Sequence, residues 1–212
     1  MSCFSTASLG CVEWRYSSYF GARKLGRIDI FRATLQSTRS AIPLGINGLT
    51  CAVLTISDTR TEADDKSGNW LAQAVTEAGH EVGDKNIVKD DIYAIRACVS
   101  NWIADPNIRV IITTGGTGFT GRDSTPEAVS VLFDKAIEGF GELFRQLSYD
   151  EIGSSTIQSR AIGGLANGTL IFVLPGSSNA VKTAWEKILI NQLDIDFKPC
   201  NFAELIPRFM ER

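Results

Sequence analysis

From Leu49 onward the chain alternates between two apolar patterns. "LTCAVLTIS", residues 49–57, is a near-continuous apolar run ending in polar residues, as expected of a strand buried on both faces. A polar loop, "SDTRTEADDKSG", follows, and then Leu71, Ala74, Val75 and Ala78 mark one helical face that stops at Gly79. "HEVGDKNIVKD" predicts a second strand with a glycine interruption. Ile92, Ile95, Val99, Trp102 and Ile103 stripe a second helix closed by Asp105-Pro106, and "RVIITTGG" is a third strand. Val129, Leu132, Phe133, Ala136, Ile137 and Phe140 recur at helical spacing and predict one long amphipathic helix, which "FGELFRQLSYDEIG" continues. "STIQSRAIGGLANG" reads as a short helix and turn, and "TLIFVLPG" as a fourth buried strand. Val181, Ala184, Trp185, Ile188 and Leu189 stripe the last main helix.

Strands alternating with helices imply parallel pairing through right-handed crossovers. The expected fold class is therefore α/β: a doubly wound, mostly parallel sheet with helices on both faces, forming a single domain over residues 47–212. Residues 1–46 are rich in Ser, Arg and Gly, show no sustained period, and read as a poorly structured basic arm. Ligands of such sheets bind off the carboxyl ends of the strands. Three polar or Gly-rich loops fall there: "SDTR", "GGTGFTGRDSTPEA" and "PGSSNA". Their convergence defines the expected site.

Charge narrows the function classes. The arm carries Arg15, Arg23, Lys24, Arg27, Arg32 and Arg39 against Glu13 and Asp29, so it is +4 and the rest of the chain −7, within a formal total of −3. A net-acidic body argues against a nucleic-acid binder, whose affinity would come from a basic face. No apolar run is long enough to span a membrane. An Arg- and Ser-rich, acid-poor leader is also the composition of an organellar transit peptide, and an upstream extension without structural role gives the same composition. Five scattered cysteines without a C-x-x-C pair suit a reducing, cytoplasmic setting. His80 is the sole histidine, which excludes a zinc site built on several His. After "EAG" it is expected to be exposed at a helix end.

Gly116, Gly118 and Gly121 spell G-x-G-x-x-G. A dinucleotide fingerprint requires these glycines in the first βα turn, yet here they follow the third strand; a Walker loop requires G-K-[ST], which is absent. What survives is a backbone cradle for phosphate, aided by a helix that starts just after Asp123, either at Thr125 with Pro126 first in the helix or at Ser124 with a capping box to Glu127. Asp123 is the odd residue, because a carboxylate beside a phosphate is repelled unless a cation lies between them, and Mg²⁺ takes one or two protein carboxylates plus phosphate oxygens. Its alternative roles are capping the helix or pairing with Arg122. Asp90 and Asp91 end the second strand on the same edge. Either could complete a metal site, and Asp91 could equally cap the next helix. Ser57 and Asp58 end the first strand, where turn formation is the plainer role. Gly176 and Ser177 hold another phosphate or simply start the last helix.

"LTISDTR", "TTGGTGFTGRDSTPEA", "FGELFRQLSYDEIG", "QSRAIGG", "LIFVLPGSSNAVKTAWEKIL" and "KPCNF" together resemble the molybdenum cofactor biosynthesis protein B family, MoaB, within the MoaB/Mog domain superfamily. The resemblance spans about residues 48–208. It implies a molybdopterin-binding α/β domain, trimeric or hexameric, whose active members adenylylate the molybdopterin phosphate with Mg-ATP. By that resemblance Asp90 and Asp123 match catalytic and Mg²⁺-holding carboxylates. Ser57, Asp58, Gly115, Gly116, Thr117, Gly118, Ser159, Gly176 and Ser177 match molybdopterin- and phosphate-binding positions. The resemblance leaves a second activity open, a non-catalytic molybdopterin carrier of the same pathway. One departure is Ser178, where the family often has proline after "PGS"; "KPCNF" favours the B branch over Mog.

Overall fold

The structure, a computed structural model, describes residues 48–211. The basic arm lies outside the described residues. Six strands form one sheet: β1 (Thr50–Ile56), β2 (Glu81–Val88), β3 (Val110–Thr114), β4 (Lys135–Ala136), β5 (Ile162–Ala166) and β6 (Thr169–Leu174), in the order β2-β1-β3-β6-β5-β4. The first four in that order pair in parallel, and β5 and β4 are antiparallel. β2 gains one residue over β1, because Cys51 faces Val82 and Ala52 faces Asp84. The extra residue is Gly83, the predicted interruption, where a Cβ would lie 2.5 Å from Thr50 Cγ2.

Side-chain alternation along the buried strands feeds two cores. Cys51, Val53, Val110, Ile112, Leu170 and Phe172 pack on one face under α1 (Lys66–Glu77), α4 (Glu138–Ile152) and α5 (Ser178–Ala184). Ala52, Leu54, Ile111, Ile171 and Val173 pack on the other under α2 (Ile92–Ala104) and α3 (Thr125–Ser130). Burial on both faces explains why these strands read as continuous apolar runs. After α5 the helical path continues through a π stretch, Trp185–Leu189, into α6 (Ile190–Leu193), and the predicted apolar stripe on it is buried.

Three expectations are corrected. The single long helix over Val129–Ile152 does not form: α3 ends at Ser130, and the chain then pairs with β5. Asp134 N–H donates to Leu165 O and Ile137 N–H to Gly163 O, each at 2.8 Å. The apolar stripe thereby crosses the sheet edge, with Leu132 and Phe133 in one core and Ile137 and Phe140 in the other. Tertiary pairing overrides the local period here. "STIQSRAIGGLANG" is a helix and turn only over Gly153–Gln158, a 3₁₀ segment, and then becomes β5. Asn167-Gly168, with φ of 47° and 76°, closes the hairpin to β6. His80 is not exposed; at 9% exposure its Nδ1 accepts a bond from Leu49 N–H at 3.2 Å. Burial holds its pKa below the usual histidine value against the opposing pull of the Asp194 charge.

Candidate functional site at the glycine loop

The carboxyl ends of β1, β2, β3 and β6 lie on one edge of the sheet, and the loop leaving β3 turns there because its first two glycines adopt φ of +105° and +62°. At Gly115 a Cβ would sit 2.2 Å from Ile56 O, and at Gly116 one would sit 2.2 Å from Thr125 Oγ1 and 2.7 Å from Asp90 Oδ2. Only glycine satisfies both the dihedral and the space. Thr125 secures the turn by donating its N–H to Gly116 O and its hydroxyl to Gly115 O, each at 3.0 Å. Gly121, the last glycine of the motif, has open space around it.

Both predicted carboxylates meet this loop. Asp90 Oδ1 accepts from the Ser124 amide at 3.2 Å and the Ser124 hydroxyl at 2.9 Å, while Oδ2 faces Gly116 and, among the described residues, has no donor. Asp123 Oδ2 accepts from the Thr120 amide and hydroxyl, and its carboxylate lies against Gly118, where a Cβ would be 2.7 Å away. The Thr120 hydroxyl holds the Asp123 carboxyl below the usual carboxylate range against partial desolvation; the amides of Thr120 and Gly118 and the charge of Arg160 add to the lowering. Asp91 is separate: it caps α2 by accepting from the amides of Tyr93 and Ala94. The capping box is also absent, because Ser124 spends its hydroxyl on Asp90 and Glu127 pairs with Arg160. Arg122 pairs with Asp58 at 2.8 Å rather than with Asp123, joining the β1 loop to the glycine loop.

The remaining predicted residues divide. Ser57 Oγ accepts from the amides of Thr59 and Arg60, which is the turn role. Gly176 packs on Gly115, where its Cβ would stand 3.2 Å from Gly115 Cα, so the β6 loop abuts the β3 loop. Ser177 caps α5 through Ala180 N–H. Thr117, Gly118, Ser159 and Ser177 share a cavity of about 310 Å³ with Glu151 and Thr183. That volume is at the small end of ligand pockets. The Ser159 hydroxyl is buried there and, among the described residues, has no hydrogen-bond partner, a state that a bound polar ligand would relieve. Asp90 and Asp123 are not lining residues; they contact the same loop at Gly116 and Gly118.

Sequence reasoning missed three residues. Arg160 donates to three loop carbonyls. Arg60 and Ser67 both donate to Gly176 O, at 3.4 and 3.1 Å, tying the β1 loop and α1 to the β6 loop. Nothing in their spacing marked them, since their partners are backbone oxygens distant in sequence. Among the described residues no three His, Cys, Asp or Glu side chains gather as a metal cage would require. Two carboxylates from different connections that meet one loop, one with an oxygen that no described residue donates to, fit Mg²⁺, which takes few protein ligands and completes its shell with phosphate and water.

A doubly wound sheet with a glycine loop, two carboxylates and an adjacent cavity at its carboxyl edge defines an α/β domain whose candidate site lies where such sheets hold their ligands. Residues 52–194 match the family model described as "Probable molybdopterin binding domain". The chain is 57% identical over 151 residues to molybdenum cofactor biosynthesis protein B of Escherichia coli K12, covering 71% of this chain and 89% of that one. To the Bacillus cereus protein of the same name it is 51% identical over 144 residues, covering 68% and 85%. A crystal structure of molybdenum cofactor biosynthesis protein B superposes with a TM-score of 0.68 at 50% identity, covering 70% of this chain and 92% of the other. The tungsten cofactor synthesizing protein MoaB from Pyrococcus furiosus gives a TM-score of 0.62 at 38% identity, covering 67% and 91%. The chain belongs to the molybdenum cofactor biosynthesis protein B family.

Proposed function

We propose that this protein binds molybdopterin and adenylylates its phosphate with Mg-ATP. The observation that carries the reading is the convergence of Asp90 and Asp123 on one glycine loop beside a ligand-sized cavity. In the reaction a phosphate oxygen of molybdopterin attacks the α-phosphorus of ATP; a new P–O bond forms, and the bond to the departing pyrophosphate breaks. Mg²⁺ held by Asp90 and Asp123 would neutralise charge on the transferring phosphates. The chain's own part is positioning: the glycines let backbone approach the anion, and the carboxylates are fixed by Ser124 and Thr120 before any ligand arrives. No histidine is needed for such a transfer.

The cavity takes the pterin, with Ser159 and Ser177 supplying hydroxyls. The reading extends, by the family resemblance, to a homo-oligomer, a trimer or hexamer. Purified protein mixed with molybdopterin, ATP and Mg²⁺ is expected to release pyrophosphate, and Asp123→Ala to release at least about 100-fold less. Equal release by both would remove Asp123 from the mechanism. Tight molybdopterin binding with no pyrophosphate from the wild type would establish instead a carrier of the same pathway.

A further inference from the structure

The Arg160 guanidinium stands behind the glycine loop, 20% exposed. Its Nε donates to Thr117 O at 3.1 Å, and Nη2 to Gly118 O at 2.6 Å and Asp123 O at 3.0 Å. Nη1 pairs with Glu127, and the Phe119 ring lies over the cation with its centroid 5.1 Å from Cζ.

Peptide geometry carries the consequence. In a trans peptide unit the C=O of one residue and the N–H of the next are coplanar and point in opposite directions. With Thr117 O drawn onto Arg160, the Gly118 amide points away from it, and the Asp123 carboxylate lies against this residue, its Oδ2 2.7 Å from where a Gly118 Cβ would stand. With Asp123 O drawn onto Arg160, the Ser124 amide points away, and this amide donates to Asp90 Oδ1 at 3.2 Å. One cation therefore stands behind two peptide units, one whose N–H donates to Asp90 and one whose glycine lies against the Asp123 carboxylate. A cation on the carbonyl end also polarises the unit and strengthens the bond at its amide end. The planar fork is what reaches three carbonyls together; a single ammonium nitrogen lacks that span.

We propose that Arg160 is a positioning residue that sets the relative placement of Asp90 and Asp123 by fixing the Thr117–Gly118 and Asp123–Ser124 peptide planes. It reaches neither carboxylate by a hydrogen bond of its own. The consequence for turnover rests on the adenylylation reading above; the placement of the carboxylates does not.

The test uses the full chain as wild type, Arg160→Lys and Arg160→Gln, with folding checked by near-ultraviolet circular dichroism. In ¹H–¹⁵N spectra the amide protons of Gly118 and Ser124 are expected to move upfield in both variants, while that of Gly115, bonded to Leu174 O, keeps its place. In the pyrophosphate assay kcat is expected to fall about tenfold or more with KM for molybdopterin changed less than about threefold. The same Arg160→Gln change made on Asp123→Asn is expected to cost less than it costs in the wild type, because one of the two carboxylates it positions is already neutral while the path through Ser124 to Asp90 remains. Lysine retains the charge and is present as the variant that folds if Gln does not. Unmoved Gly118 and Ser124 amides in a folded variant overturn the proposal. A wild type that makes no pyrophosphate while the two amides move as described sinks the adenylylation reading and leaves the positioning role standing.

Discussion

Replacing Gly116 by alanine tests whether the glycine loop is shaped by its first residues or by the full G-x-G-x-x-G pattern. Gly116 has φ of +62°, a region that costs an L residue about 1 to 2 kcal/mol. Its new Cβ would fall 2.2 Å from Thr125 Oγ1 and 2.7 Å from Asp90 Oδ2, so Thr125 must release its 3.0 Å bond to Gly115 O. Losing that bond in a buried setting adds about 1 kcal/mol, and incomplete relief of the crowding adds up to about 1 more. The expected loss is about 2 to 4 kcal/mol, seen as a fall of about 5 to 15 °C in Tm for a domain of this size. Gly121→Ala is the internal comparison, because nothing lies within 4 Å of its Cβ position and its φ is not in the left-handed region. That variant should be neutral or slightly stabilising, within about 1 kcal/mol. Urea unfolding followed by circular dichroism reads both. Equal stability of the two variants would refute the argument, since it would mean that neither the dihedral nor the contacts of Gly116 matter.

His80 gives a pH prediction. Its folded pKa lies below the unfolded value, so below the usual histidine pKa the unfolded chain binds a proton that the folded one refuses, and stability falls as pH drops through that window. Tm measured from pH 7.5 to 5 should decline more steeply for wild type than for His80→Gln; parallel curves would contradict it. Gly164→Ala would put a Cβ 2.3 Å from the Phe133 ring and should destabilise by about 1 to 3 kcal/mol. Adding Phe133→Leu should recover part of that loss, and strict additivity in the double variant would show that the two do not share the space.

The parallel half of the fold was legible because burial on both faces writes itself as continuous apolar runs; β1, β3 and β6 all fall where those runs do. Caps were partly legible. Asp91 and Asp90 are adjacent carboxylates at one strand end, and only the structure separates the one that caps α2 from the one that faces Gly116. The antiparallel edge was not read, because Val129–Phe140 keeps a helical period while its two ends serve opposite faces of the sheet. The Asn167-Gly168 pair was a hairpin signal in plain view. The whole segment "STIQSRAIGGLANG" reads instead as a short helix and turn, although its Gly163 and Gly164 are the places where Phe140 and Phe133 press against a strand.

That misread strand also decides the chemistry of the site. Parallel strands deliver their carboxyl ends to one edge, so β1, β2, β3 and β6 can offer only the residues that follow them: Ser57, Asp90, the glycine loop and Gly176. β5 runs the other way, pairing Ile162 with Val173, so the residues that precede it arrive at this same edge. Those residues are Ser159 and Arg160. A parallel strand in that place would carry them to the far edge, roughly 15 to 20 Å away for five residues at strand rise. The acidic body offers the loop few cations, with Arg122 occupied by Asp58, and the reversal of one strand is what puts a guanidinium behind it. The orientation of β5 is thus part of the catalytic design proposed above: without the Asn167-Gly168 hairpin, the loop that Asp90 and Asp123 meet would lack the guanidinium on its Thr117, Gly118 and Asp123 carbonyls.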